Sequence, residues 1–139
     1  MFDHLASWAR HTKPAKKARP KTSKPLERDI EKAIRDAFRL KLHVTLFKTD
    51  AGGAGMRSGL RDGARAYTGL PAGFSDLVGV IPGTGRAIFI EVKAPGNKPT
   101  ALQLEFLERR RAEGAVAFWA DGVDSALQQF GAAVSGVAA

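Results

Sequence analysis

The chain has 139 residues, the length of one domain, and 44% of them are apolar. It contains no cysteine, which excludes disulfides, thiolate zinc sites and cysteine nucleophiles, and its three histidines are too widely spread to predict a zinc cluster. No apolar run approaches the roughly 20 residues that cross a bilayer, and the first nine residues lack the pattern of a secretory signal. We therefore expect a soluble, cytoplasmic protein without a membrane partner.

Positive charge is concentrated at the N-terminus. The formal net charge is +8; residues 1–25 carry +6 of it, from seven bases and one acid, and residues 26–139 carry +2. Three prolines interrupt the basic segment, so we expect a flexible arm over residues 1–25. Such an arm suits nucleic acid through counterion release, and Lys16 and Lys17 are candidates for DNA contact. A solubilising tail is the alternative.

The first predicted element is a helix over residues 26–40, with Ser23 as its cap. Its apolar residues gather on one side of the helical wheel, and Glu27 falls within that apolar arc. Glu31 lies at the edge of the arc and is the weaker candidate for an inward carboxylate. The β-branched and aromatic run that follows predicts a strand over residues 42–48.

Residues 50–73 are rich in glycine and predict a long mobile loop. Arg57, Arg61 and Arg65 recur in it at every fourth position. Loops of this length in compact domains are usually functional or disordered. We expect these arginines to contact DNA phosphates; the alternative is that they only keep the loop soluble.

The rest of the chain predicts an α/β domain with a mixed sheet. Strands over residues 75–81 and 86–93 flank a turn and form a hairpin, and the second strand is apolar on both faces, as in the centre of a sheet. A helix over 100–113, a strand over 115–120 and a helix over 123–130 follow, with a small-residue tail over 131–139. The folded domain is thus predicted to span residues 26–130.

Acidic residues and one lysine occur where such residues are costly. Glu91 and Lys93 project from the same face of the central strand, because strand residues two apart share a face. The hairpin brings Asp76 to the same end of the sheet, and Glu27 points inward from the first helix. Clustered carboxylates repel one another unless a cation joins them, and a hard ion such as Mg²⁺, or Mn²⁺ in its place, suits oxygen ligands. With the Lys93 ammonium beside it, this arrangement predicts phosphodiester hydrolysis.

Each of these residues also has a structural interpretation when it is taken alone. Asp76 fits a turn residue, and Glu91 with Lys93 fits an exposed cross-strand ion pair. Glu27 fits a carboxylate that compensates the helix dipole. Gln103 forms a capping box with Thr100, although its position on the helical wheel also points inward. Only these features taken together favour a catalytic centre.

The ordered series of motifs resembles the PD-(D/E)XK nucleases, and within them the virus-type replication-repair nuclease (VRR-NUC) family. The resemblance covers about residues 26–125. The matching pieces are Glu27 with Ile30, Gly69-Leu70-Pro71 with Gly73, Ser75-Asp76-Leu77, Ile90-Glu91-Val92-Lys93-Ala94-Pro95, Pro99-Thr100 with Gln103, Phe106-Leu107, and Gly114. One departure is Gly73-Phe74, where family members more often carry two small residues.

This resemblance implies a restriction-endonuclease-like αβββαβ core. It implies a metal ion held by Glu27, Asp76, Glu91 and the Val92 carbonyl, with Lys93 and Gln103 as further catalytic residues. Short members of this kind resemble bacteriophage proteins that act as homodimers on branched DNA, including four-way junctions, inside the bacterial host cell. The alternatives are a DNA-binding module of the same fold without activity, and an RNA-processing or restriction-like nuclease.

Overall fold

The structure, a computed structural model, describes residues 25–49 and 70–136. Within them the predicted order of helices and strands is confirmed. The elements are α1 (Glu27–Ala37), β1 (Leu46–Lys48), β2 (Leu77–Val80), β3 (Ala87–Val92), α2 (Ala101–Ala112), β4 (Val116–Ala120) and α3 (Val123–Val134). The predictions for the basic arm with Lys16 and Lys17, for the Ser23 cap, and for Arg57, Arg61 and Arg65 lie outside the described residues.

The described strands form a mixed sheet in the order β1-β2-β3-β4. The β1–β2 and β2–β3 pairs are antiparallel and the β3–β4 pair is parallel, so the α/β class with a restriction-endonuclease-like core is confirmed. The hairpin register places Leu77 opposite Ile90, and β3 is an interior strand as its apolar pattern predicts. β1 and β4 are the edge strands of the described sheet.

Helices cover both faces of the sheet. Ile88 and Ile90 of β3 belong to the main core cluster together with Ile34 of α1 and Phe130 of α3. Phe89 lies between them in the strand, faces the other side, and contacts Phe106 of α2 with ring centroids 5.5 Å apart. The result is a three-layer arrangement in which β3 is buried on both faces.

The end of the first helix differs from the prediction. α1 passes into a π-helical turn over Phe38–Leu42, and His43 then takes a left-handed conformation with φ of 55°. The Val44 N–H donates to the Phe38 carbonyl at 3.1 Å, so the left-handed residue closes the turn as a C-terminal cap. The strand therefore begins at Leu46, and its predicted start at residue 42 is wrong.

α2 is fixed at both ends and along one face. Thr100 caps it as predicted, and Gly114 follows it with φ of +97°. Phe74, from the turn before β2, packs against Phe106 with ring centroids 4.8 Å apart. Gly73 has φ of +83°, and a Cβ there would lie 2.8 Å from the Leu102 carbonyl oxygen. The turn before β2 is thus held closely against the first turn of α2.

α3 continues past its predicted end at Phe130 and runs to Val134. Residues 131–134 start the predicted small-residue tail, but their small side chains are compatible with a helix, and Ala133 packs on the core cluster. Among residues 25–49 and 70–136, no helix is both long and apolar enough to cross a membrane.

Candidate active site

Glu91 is the buried centre of the candidate site. It lies on interior strand β3 with only 1% of its surface exposed. Its Oε1 atom accepts hydrogen bonds from Lys93 Nζ at 2.8 Å and from Gln103 Nε2 at 2.6 Å. Its Oε2 atom is buried and has no hydrogen-bond donor among the described residues. Buried carboxylate oxygens are normally satisfied, so this atom is suited to a proton, an ordered water or a cation.

Asp76 lies beside Glu91, as the hairpin predicts. It immediately precedes β2, and its Oδ2 atom accepts a hydrogen bond from the Val92 N–H at 2.8 Å. Thr49, which follows β1, fixes this segment: its N–H donates to the Asp76 carbonyl at 2.8 Å, and its hydroxyl donates to the Ser75 carbonyl. Thr49 carries no signal of this role in the sequence, because only the β1–β2 register brings it to this position.

The pKa values of Glu91 and Lys93 are both raised. Burial raises the pKa of Glu91 to about 7; the hydrogen bond from Lys93 opposes this shift, and the negative charge of Asp76 adds to it. Burial also disfavours the charged form of Lys93. The hydrogen bond and charge of Glu91, with the charges of Glu27 and Asp76, outweigh that effect and raise the pKa of Lys93. Lys93 is therefore a fixed cation at neutral pH.

Gln103 satisfies both interpretations that the sequence left open. The side-chain Oε1 of Gln103 accepts a hydrogen bond from the Thr100 backbone N–H at 2.8 Å, and the backbone N–H of Gln103 donates to the Thr100 hydroxyl at 3.3 Å. These two hydrogen bonds form the capping box. The amide nitrogen of the same side chain donates to Glu91. The cap and the site contact thus fix one rotamer, which couples the start of α2 to the central strand.

The two glutamates of α1 occupy different environments. Glu27 is exposed, so the prediction that it points inward from the apolar arc is wrong. Its Oε1 nevertheless accepts a hydrogen bond from the Ala94 N–H at 3.2 Å, which places it at the end of β3. Glu31 is the buried one, at 7% exposure, because Lys48 of β1 pairs with it at 3.1 Å and Arg35 at 3.7 Å. Glu27 therefore borders the Lys93 end of the site, whereas Glu31 already has two cations.

The donor set of this site fits a hard divalent cation. Asp76 and Glu91 supply carboxylate oxygens side by side, the Glu91 Oε2 atom has no donor in the described part of the chain, and Glu27 lies nearby. Residues 25–49 and 70–136 contain no preformed group of three or more Asp, Glu, His or Cys side chains that could hold a metal. The site thus has the Asp76 and Glu91 carboxylates at its centre, and the Glu27 carboxylate lies at its edge, hydrogen-bonded to the Ala94 N–H.

Comparison with known proteins identifies a family. The model of the VRR-NUC domain matches residues 23–124, which include every candidate site residue that the structure describes. Comparisons with curated proteins and with solved structures give no significant match.

Proposed function

The chain belongs to the VRR-NUC family of nucleases, and we propose that it is a metal-dependent endonuclease that hydrolyses DNA phosphodiesters at branched structures such as four-way junctions. The observation that carries this proposal is the unsatisfied Oε2 atom of Glu91. It lies next to the Asp76 carboxylate, while the other Glu91 oxygen is held by an ammonium and an amide. Two adjacent carboxylates with one oxygen free of donors favour a shared cation over a purely structural ion pair.

The residues divide the chemistry among them. Asp76, Glu91, Glu27 and the Val92 carbonyl would hold Mg²⁺ or Mn²⁺, which when bound supplies charge stabilisation and acidifies water. Lys93 retains its proton at neutral pH, so it orients the attacking water and offsets negative charge as it grows on the phosphate. In the hydrolysis, the water oxygen bonds to phosphorus and gives up one proton to solvent, the bond to the leaving oxygen breaks with its electron pair staying on that oxygen, and that oxygen takes up one proton from solvent.

Gln103 has a positioning role in this account. Because its carbonyl oxygen is engaged by Thr100, its amide N–H groups are directed at Glu91. This bond and the one from Lys93 fix the rotamer of Glu91 and leave Oε2 available.

DNA would be held mainly through its phosphates. Lys16 and Lys17 of the basic arm, with Arg57, Arg61 and Arg65, are the proposed contacts, and phosphate contacts give affinity without reading sequence. A homodimer would present two centres to a symmetric junction, which allows paired cuts.

Cleavage of a labelled four-way junction tests the proposal. The wild-type protein should cut in Mg²⁺ or Mn²⁺ and not in EDTA, and it should prefer the junction to a matched linear duplex. Lys93→Ala and Asp76→Asn should abolish cutting while junction binding in a gel-shift assay stays within about twofold. Glu105→Gln, on the exposed face of α2, is the matched control and should cut normally.

The same assay separates the alternatives. Tight junction binding without any metal-dependent cut would identify an inactive DNA-binding module. Preferential cutting of RNA, or of linear duplex, would identify an RNA-processing or restriction-like nuclease. Normal cleavage by Lys93→Ala or Asp76→Asn would contradict the assigned roles.

A further inference from the structure

Part of the sheet face that carries Glu91 is open and apolar. On this face α2 packs against β3 and β4, and its Phe106 lies on Phe89. Over β1 and β2 the same face presents Phe47 and Val80, whose side chains are 62% and 54% exposed. We call Phe47, Val80 and the half-buried Val78 between them the apolar patch. A group of large apolar side chains exposed together, unlike a single one, indicates a binding surface.

The strand register places the apolar patch on the same side of the sheet as the catalytic candidates. Phe47 pairs directly with Val78 across β1 and β2. Side chains alternate along a strand, so Asp76, Val78 and Val80 share one face, whereas Leu77 points into the main core on the other. The patch is therefore a continuation of the candidate active site along β2.

Phe47 occupies a fixed position beside Asp76. It lies opposite Val78, which is two residues from Asp76, and diagonal neighbours of this kind in an antiparallel pair are about 7–8 Å apart. Thr49, which shares a strand face with Phe47, donates its N–H to the Asp76 carbonyl at 2.8 Å. This hydrogen bond holds the end of β1 against the segment that carries Asp76. Phe47 is thus presented by the sheet itself, one diagonal step from the proposed metal site.

The position of the apolar patch favours DNA over a protein partner. Any macromolecule that covered Phe47 and Val78 would also lie across Asp76, where the substrate phosphate must enter. A permanently bound protein would block that entry, whereas a nucleotide whose phosphate lies at Asp76 and Glu91 brings its own base or a neighbouring base toward Phe47. The patch and the carboxylates therefore fit two parts of one ligand.

The phenyl ring of Phe47 suits a base whose flat face is free. It has no hydrogen-bonding group, so it binds by stacking, which every base allows and which reads no sequence. In a linear duplex both faces of a base are covered by its neighbours, and freeing one costs unstacking energy. At a branch point the stack is interrupted, so that cost is lower. An exposed ring beside the site therefore favours branched DNA over linear duplex.

We propose that Phe47 stacks on a base at the branch point of the DNA substrate, next to the phosphate that is cut, and so determines the preference for branched DNA. This inference rests on the proposed function, because the carboxylates define where the phosphate lies. Phe47 is a specificity residue: it contacts the substrate but not the reacting phosphorus.

DNA binding in EDTA, where no cleavage occurs, tests the proposal. The full-length protein is titrated against a labelled four-way junction and against a linear duplex of matched length and sequence. Phe47→Ala should weaken junction binding about tenfold, as expected for one stacked base, and should change duplex binding by less than about twofold. Phe47→Trp should retain the preference for the junction, whereas Phe47→Leu, which is apolar but not aromatic, should lose most of it.

Leu40→Ala is the matched control for these variants. Leu40 is also a large apolar residue, 71% exposed, but it lies in the π-helical turn after α1, whereas Glu27 at the site begins that helix. The Leu40→Ala variant should bind both DNAs as the wild type does. Equal losses in Leu40→Ala and Phe47→Ala would contradict a specific role for the ring of Phe47.

A junction that carries 5-iodouracil at the branch point locates the contact directly. Ultraviolet irradiation should crosslink this base to Phe47, as mass spectrometry of the digested protein would show, and the crosslink should be absent from Phe47→Leu. Crosslinks that form only to other residues would overturn the proposal.

Thermal melting separates stacking on DNA from packing within the protein. Because Phe47 is exposed, the melting midpoint of Phe47→Ala should lie within about 2 °C of the wild-type value. A much lower midpoint would indicate that Phe47 packs against its own chain and would overturn the proposal. So would a lower sedimentation coefficient of Phe47→Ala with equal losses of junction and duplex binding, which would identify the patch as a protein interface.

The inference and the proposed function fail in different ways. If Phe47→Ala binds the junction as the wild type does, and the wild type cuts it in Mg²⁺, the stacking role is wrong and the proposed function stands. If the preference for the junction depends on Phe47 but no metal-dependent cut occurs, the stacking role is upheld and the nuclease activity alone is contradicted.

Discussion

The raised pKa of Glu91 predicts that the metal-free protein loses stability as the pH increases. The folded-state pKa is about 7 and the ordinary value is 4.5. At 1.36 kcal/mol per pH unit, this difference corresponds to about 3 kcal/mol. Because the folded pKa is the higher one, the folded state binds the proton more tightly. The contribution of Glu91 is fully present below pH 4.5 and is lost as the pH rises through 7.

Urea denaturation in EDTA, followed at several pH values between 4.5 and 8.5, measures this effect. Glu91→Gln is the reference, because it keeps the shape of the side chain but does not titrate. The free energy of unfolding of the wild type minus that of Glu91→Gln should fall by about 3 kcal/mol across this range. Titrating groups that do not interact with Glu91 cancel in the difference. At pH 8, Mg²⁺ should stabilise the wild type and have little effect on Glu91→Gln. A difference that is constant with pH would refute the assignment of Glu91 as a buried carboxylate with a raised pKa.

Three further predictions follow from contacts around the site. Glu31→Gln should cost about 1 kcal/mol of stability and leave junction cleavage unchanged, whereas Glu27→Gln should lower cleavage; equal effects on cleavage would refute the distinction between these glutamates. Thr100→Ala should cost about 1 kcal/mol through loss of the cap, whereas Gln103→Ala should also slow cleavage by about 10–100-fold, and a normal rate would assign Gln103 to the cap alone. Gly73→Ala should cost about 1–3 kcal/mol in urea denaturation because of its positive φ and the close Leu102 carbonyl, and an unchanged midpoint would contradict that packing.

The centre of the site was predictable because it depends on local rules. Strand alternation alone places Glu91 and Lys93 on one face, and a tight hairpin then brings Asp76 alongside. The capping box of α2 follows from the spacing of Thr100 and Gln103. The inward position of Gln103 on the helical wheel indicated a site residue, but not that it contacts Glu91; it does both because its side chain has separate donor and acceptor ends.

Other features depend on contacts between distant parts of the chain. The burial of Glu31 rather than Glu27 follows from Lys48, which arrives from β1 and which no helical wheel of α1 contains. The role of Thr49 depends on the β1–β2 register. The π-helical turn after α1 ends at a left-handed His43, a conformation that residue-type patterns do not signal at a histidine.

The central claim, that Asp76 and Glu91 share one divalent cation beside the Lys93 ammonium, is tested most directly by anomalous diffraction from crystals soaked in Mn²⁺. The account predicts an anomalous peak within coordination distance of both carboxylates, and its loss in crystals of Asp76→Asn. A Mn²⁺ peak elsewhere in the molecule, with none between these two side chains, would contradict it.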